Sequence, residues 1–297
     1  MVEKIKVKPR VLVTGSSGML GTDLARELKT EYEVIGADVV SNPKSAVHRF
    51  YKADISDGKS IAALFDKVKP VIVIHAAAWA DVDGCELDSK KAYLINTEGT
   101  NNVALACKKI GATLIYISTD FVFDGRKKKL YKENDRTNPL NTYADSKLKG
   151  EAKVKKTLKK YFILRSSWLY GKYGKNFVDT IVGKAKKVRI LKVVDDQVGS
   201  PTYTIDLARA IHALMDKACE DYGVYHISNS GNISWYEYAK TVLKLAGIKA
   251  KVTPISSGEL NRPAKRPAMS VMDSSKFESV TGYKMRGWKS ALREYLN

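Results

Sequence analysis

Short apolar, β-branched runs alternate with longer amphipathic stretches through the first half of this chain. Arg10–Thr14 is a continuous apolar run of strand length, the pattern of a strand covered on both faces. Tyr32–Ala37, Phe50–Ala53, Val71–His75, Thr113–Ile117 and Tyr161–Arg165 repeat it. Helical spacing fills the intervals: one stretch to about Lys29, one from about Ser56 to Val68 that Pro70 stops, one from about Asp88 to Ile110, and one around Tyr143–Lys147. Strand and helix alternating in this way predict an α/β fold with a doubly wound parallel sheet. The second half is less regular. Arg189–Val194 and Gly223–Ser228 read as strands, Thr204–Ala218 and Ser234–Ala246 as helices.

The chemistry gathers where predicted strands end. The first feeds Gly15-Ser16-Ser17-Gly18-Met19-Leu20-Gly21 and then a helix. Strand, glycine turn and helix form a phosphate cradle, in which backbone N–H groups from Gly15 to Leu20, Ser17, Gly18 and Met19 among them, and the helix N-terminus face a pyrophosphate. This predicts a Rossmann-type dinucleotide site. Asp38 ends the second strand, where a carboxylate holds adenosine ribose hydroxyls and repels a 2′-phosphate; Lys44, His48 and Arg49 nearby offset that charge, so NADPH and NADH both stay open. Asp54 and Ile55 suit the adenine ring, and Ala76, Ala77 and Ala78 are small enough for a flat cofactor to lie against the backbone. Trp79–Asp83, including Val82, forms a loop at a carboxyl strand end, where open parallel sheets bind ligands. Asn96 falls inside a long helix, placed either to hold a carbonyl or a water near Lys147 or to make a plain structural hydrogen bond.

Tyr143 and Lys147, four apart on a helix, share one face. An ammonium beside a phenol favours the phenolate and moves its proton affinity toward neutrality. Such a pair suits ketone reduction, with the phenol protonating the developing alkoxide. Thr119, at the end of the fifth strand, is placed to bond the carbonyl. Tyr236 and Lys240 share the spacing without that company. The polar segment Asp124–Pro139 reads as a mobile cover. We expect a dinucleotide-binding domain over 1–165, with elements from about 204–230 returning to it, and a smaller substrate-binding domain from 166–203 and 231–297. The cleft between them holds the substrate.

Composition narrows the setting. A chain of 297 residues with 44% hydrophobic content needs neither disulfide nor metal to fold. Cys85, Cys107 and Cys219 are odd in number and widely spaced, which favours reduced thiols and a cytoplasmic protein. No apolar run spans a membrane, the N-terminus lacks a signal-peptide core, and the four histidines form no metal spacing. The net charge of +19 is spread along the chain, the pattern of a lysine-rich solvated surface. An anionic small substrate is the next reading, and a specific nucleic-acid partner is not expected.

Gly15-x-x-Gly18-x-x-Gly21, Asp54, Ala76–Ala78, Asn96, Thr119 and Tyr143-x-x-x-Lys147 resemble, in order, the extended short-chain dehydrogenase/reductases. The chain is similar in particular to dTDP-4-dehydrorhamnose reductases. That resemblance rests on Ser118–Gly125 (STDFVFDG), Pro139–Glu151 (PLNTYADSKLKGE), Arg165–Gly171 (RSSWLYG), Gly174–Val178 (GKNFV), Asp196–Tyr203 (DQVGSPTY) and Arg266–Lys276 (RPAMSVMDSSK). It implies reduction of the 4-keto group of a dTDP-linked 6-deoxyhexose, with Tyr143 as acid, Lys147 as its partner and Thr119 as third member. It further implies that Trp168 packs on the sugar, that Asp120, Asn176, Phe177, Gln197 and Arg266 grip the nucleotide-sugar, and that a homodimer is possible. Phe121, Ala144 and Ala268-Met269 depart from the usual pattern. A 4-epimerase shares the Thr/Tyr/Lys set, and the regulatory subunit of methionine adenosyltransferase shares much of the cofactor fold.

Overall fold

The computed structural model describes residues 8–217 and 220–297; Cys219 lies outside them. The strands are β1 (Arg10–Thr14), β2 (Glu33–Asp38), β3 (Arg49–Lys52), β4 (Ile72–His75), β5 (Thr113–Thr119), β6 (Tyr161–Ser166), β7 (Leu169–Tyr170), β8 (Ile190–Val194), β9 (Val198–Gly199), β10 (Thr202–Tyr203), β11 (Gly223–His226), β12 (Ile233–Ser234) and β13 (Lys251–Ile255). Seven of them form one parallel sheet in the order β11-β6-β5-β4-β1-β2-β3. The order reverses at β1, so a crevice opens beyond the carboxyl ends of β1 and β4.

The alternation along β1 sets the layers. Val11 and Val13 face one cluster, with the helices Met19–Leu28 and Thr204–Lys217. Leu12 faces the other, with Gly58–Val68 and Thr100–Ile110. All three side chains are fully buried, each contributing roughly 1.5–3 kcal/mol. Asp57 starts the Gly58–Val68 helix by accepting the N–H groups of Lys59 and Ser60, and Lys69 ends it in the left-handed region. Beyond β6 the chain builds a smaller lobe on the parallel pair β8–β13 and three helices, Phe177–Ala185, Trp235–Leu245 and Trp288–Leu296. Its core is rich in tyrosine: Tyr170 meets Tyr203, Tyr238 and Tyr295, and Tyr203 meets Tyr295.

Two stretches differ from the sequence reading. The helix expected across 88–110 is broken into Ser89–Tyr93, a π-helical turn Leu94–Gly99, and Thr100–Ile110. The turn aims Asn96 at the β4 exit loop, and Gly99 lies against Ile55, where a Cβ would come within 2.8 Å. The segment 124–139 is anchored rather than free. Tyr131 is buried, stacks on Phe123 at 4.2 Å and exchanges backbone bonds with Val271 and Asp273.

Candidate active site

The glycine turn is shaped by close approach. Gly15 has φ +72°, and a Cβ there would stand 2.6 Å from the Ala77 nitrogen; one on Gly21 would stand 2.1 Å from the Gly15 oxygen. Gly18 starts the following helix without a side-chain cap, which leaves its first N–H groups for an anion. Asp38 braces the turn: Oδ2 accepts the Ser17 N–H at 3.0 Å and Oδ1 the Val39 N–H at 2.7 Å. A cavity of about 500 Å³ follows, lined by Gly15, Ser17, Gly18, Asp38, Asp54, Ile55, Ala76–Ala78 and Trp79. Its glycine floor and small alanine wall fit a dinucleotide, because any Cβ at Gly15 would occupy backbone space.

A second cavity, about 370 Å³, adjoins the first through Ala76 and Ala78. Met19, Val82, Thr119, Asp120, Tyr143, Lys147 and Trp168 line it. Asn141 caps the Thr142–Thr157 helix by accepting the Ala144 N–H, so Tyr143 and Lys147 sit in its first turns. Lys147 is buried; its ammonium donates to the Ile117 carbonyl at 2.7 Å and lies 4.2 Å over the Tyr116 ring. Burial pulls its proton affinity down to about 7, against the charge of Glu151. Burial raises the Tyr143 phenol above its ordinary value; the Thr119 hydroxyl lowers it, and Asp120 and Cys85 add to the rise. The expected shift toward phenolate is therefore absent: burial dominates at Tyr143, and the Lys147 ammonium donates to the Ile117 carbonyl instead.

The sequence family model described as RmlD substrate binding domain matches residues 9–297. The chain belongs to the dTDP-4-dehydrorhamnose reductase family. It is 40% identical to a spore coat polysaccharide biosynthesis protein, SpsK, of Bacillus subtilis, covering 97% of this chain and 96% of that one. It is 35% identical to a dTDP-4-dehydrorhamnose reductase of Aggregatibacter actinomycetemcomitans, covering 96% and 97%. Among solved structures, a dTDP-4-dehydrorhamnose reductase from Bacillus anthracis, in complex with NADP, superposes with a TM-score of 0.90 at 39% identity, over 97% of this chain and 99% of that one. A UDP-glucose 4-epimerase from Thermus thermophilus, at 23% identity and a TM-score of 0.84 over 97% of each chain, shares the fold.

Within this reductase family member, the residues singled out from sequence divide into three groups. Most line the two cavities just described. Gln197 and Arg266 line a third, about 250 Å³, with Phe177, Lys184, Lys192 and Arg262. There the Arg266 guanidinium is already paired with Asp83 at 2.9 Å. Leu20, Asn96 and Asn176 line none of the three cavities. Leu20 packs into the core beneath the glycine turn. Asn176 caps the Phe177–Ala185 helix, accepting the Asp179 N–H and donating to the Gly171 oxygen. Asn96 acts on the backbone: it accepts the Trp79 N–H at 2.8 Å and donates to the Trp79 oxygen and Ser146 Oγ. Trp235, which the sequence reading placed only in a helix, lines both the second and third cavities and stacks on Trp168 at 3.5 Å. Lys175 also lines the second. The second Tyr-x-x-x-Lys pair, Tyr236 and Lys240, lines a groove on the small lobe with Lys244, Lys249 and Arg293, apart from any cofactor wall.

Proposed function

We propose that this protein reduces the 4-keto group of dTDP-4-dehydro-L-rhamnose, giving dTDP-L-rhamnose, with NADPH or NADH. The observation that carries the reading is the joining of two cavities: the glycine-turn cavity opens at Ala76 and Ala78 into the one holding Thr119, Tyr143 and Lys147. When bound, a nicotinamide would supply the hydride that the keto carbon takes up. Gly15, Gly18, Asp38 and Asp54 hold the dinucleotide, and Thr119 and Tyr143 bond the keto oxygen. Tyr143 keeps its proton until the alkoxide develops and then releases it; Lys147, when charged, stabilises the phenolate left behind.

Trp168 and Trp235 wall the sugar from water, and Gln197 and Phe177 take the base end. Lys175, Lys184, Lys192, Arg262 and Arg266 surround these cavities with positive charge suited to a diphosphate. We assign the reaction to the cytoplasm, on the free thiols of Cys85 and Cys107. Among the described residues no helix is long and apolar enough to cross a membrane.

The test is loss of reduced-nicotinamide absorbance with the keto-sugar and each cofactor, for wild type and Tyr143→Phe. Turnover that the variant loses supports the reading. Cofactor binding without consumption by wild type overturns it.

A further inference from the structure

Asp120 follows Thr119 at the end of β5 and is 2% exposed. Its Oδ1 accepts the Thr119 hydroxyl at 3.1 Å, whereas Oδ2, also buried, makes no well-formed hydrogen bond even though the Ser270 hydroxyl stands close to the carboxyl. An ionised carboxylate left so is costly, while a neutral carboxyl carries a hydrogen of its own. Burial pushes Asp120 up to about 7, against the pull of the Ser270 and Thr119 hydroxyls and of backbone N–H groups.

Thr119 Oγ1 has one hydrogen. It accepts the Phe121 N–H at 3.2 Å and donates that hydrogen to Asp120. While Asp120 is ionised it retains the hydrogen, Thr119 faces the cavity as an acceptor only, and the hydrogen bond by which Thr119 lowers the Tyr143 phenol is given up. A protonated Asp120 supplies the hydrogen between the two residues, and the threonine hydrogen is released toward the cavity. We propose that Asp120 is a positioning residue whose protonation turns Thr119 from an acceptor into a donor toward the substrate carbonyl. The substrate part of this rests on the reductase reading; the switch itself does not. One proton from water adds to the carboxylate, the Thr119 O–H rotates, and no other bond changes.

The titratable groups that line the cavity with Asp120 are Tyr143 and Lys147 from the Thr142–Thr157 helix and Lys175; Ser270 of the C-terminal segment acts on the carboxyl directly, and Cys85 acts on Tyr143. Burial also lowers the proton affinity of Lys147, to about 7, so a rate profile needs a direct partner measurement. The first readout is carboxyl-carbon NMR of the cofactor-free wild type, with Asp120 assigned through its neighbours Thr119 and Phe121. A midpoint near 7 is expected, and one at the ordinary carboxylate value overturns the proposal. The second is the pH dependence of kcat/KM. Asp120→Asn keeps an acceptor and a donor but cannot titrate. It is expected to lower the plateau, since Asp120 lines the substrate cavity, and to lose one proton from the steepness of the fall above neutral pH. An unchanged steepness overturns the proposal. If wild type consumes no cofactor with the keto-sugar, the reductase reading fails while the NMR titration still decides the state of Asp120.

Discussion

Arg165 holds Glu151 in a two-pronged ion pair under the active site: Nε donates to Oε1 at 2.9 Å and Nη2 to Oε2 at 2.8 Å. The side chains are 2% and 0% exposed. Burial alone would raise the Glu151 carboxyl, but Arg165, the Ser118 hydroxyl and Lys155 bring it below its ordinary value. The pair ties β6 to the helix that carries Tyr143 and Lys147. Removing one partner strands a buried charge, at a cost of about 3–5 kcal/mol. Arg165→Met should lower stability by that amount in urea unfolding; a loss below about 1 kcal/mol would show that the pair is dispensable.

Asp38 lies where its charge would weigh on the choice between the two cofactors. Its carboxylate sits in the wall of the cofactor cavity, fixed by the Ser17 and Val39 N–H groups. Asp38→Asn keeps an acceptor and removes the repulsion toward a 2′-phosphate. The ratio of kcat/KM for NADPH over NADH should rise by roughly tenfold, about 1.4 kcal/mol. Equal profiles for the two proteins would mean that the charge does not reach the ribose.

Tyr143 is assigned the proton transfer and little of the binding. Its ring meets Phe121 edge-on at 6.4 Å, a contact that a phenylalanine retains. Tyr143→Phe should cut kcat by roughly a hundred- to ten-thousandfold and leave the cofactor dissociation constant nearly unchanged. A variant that keeps a tenth of the rate would move the acid elsewhere.

His212 makes stability depend on pH. Burial lowers its proton affinity, but Glu27, Asp216 and Glu31 together raise it above 6.5. Its Nδ1 lies 3.1 Å from Glu27, joining the helices Thr204–Lys217 and Met19–Leu28. A folded value above the unfolded one means that the native state holds the proton more tightly. The contribution is complete below about 6.5 and is lost as pH rises through the folded value. Between about pH 6 and about pH 8, wild-type Tm should fall further than that of His212→Gln. Parallel curves would remove the histidine from the balance.

The sheet and the glycine turn were legible because each answers to a local period or a local steric need. Alternating Val11, Leu12 and Val13 point to opposite layers, and Gly15 has no room for a side chain. Contacts made across the chain were not. Asn176 stands in a segment that resembles the substrate-gripping motif, yet its amide is used by the helix it starts. Trp235 reads as the first residue of an amphipathic helix, and only folding brings it to Trp168. The unpartnered oxygen of Asp120 is likewise a property of what surrounds it. The π-helical turn at Asn96 breaks a hydrophobic pattern that a regular helix satisfies equally well.

Trp168 offers the sharpest test of the substrate wall. It has φ +48°, a left-handed backbone unusual for a bulky residue, of the kind that neighbouring structure must hold in place. Two neighbours do so. Trp235 stacks on it with an interplanar angle of 4°, and Gly199 leaves no gap, since a Cβ there would stand 2.4 Å from the indole. Gly199→Ala therefore displaces the Trp168 indole without touching the cofactor cavity, which Gly199 does not line. A contact of that aromatic face with the sugar, worth about 0.5–1.5 kcal/mol, would be lost, so KM for the keto-sugar should rise by roughly two- to tenfold. The KM for cofactor should hold. A rise in both would mean that the substitution loosens the lobe as a whole, and an unchanged pair would mean that the indole does not meet the substrate.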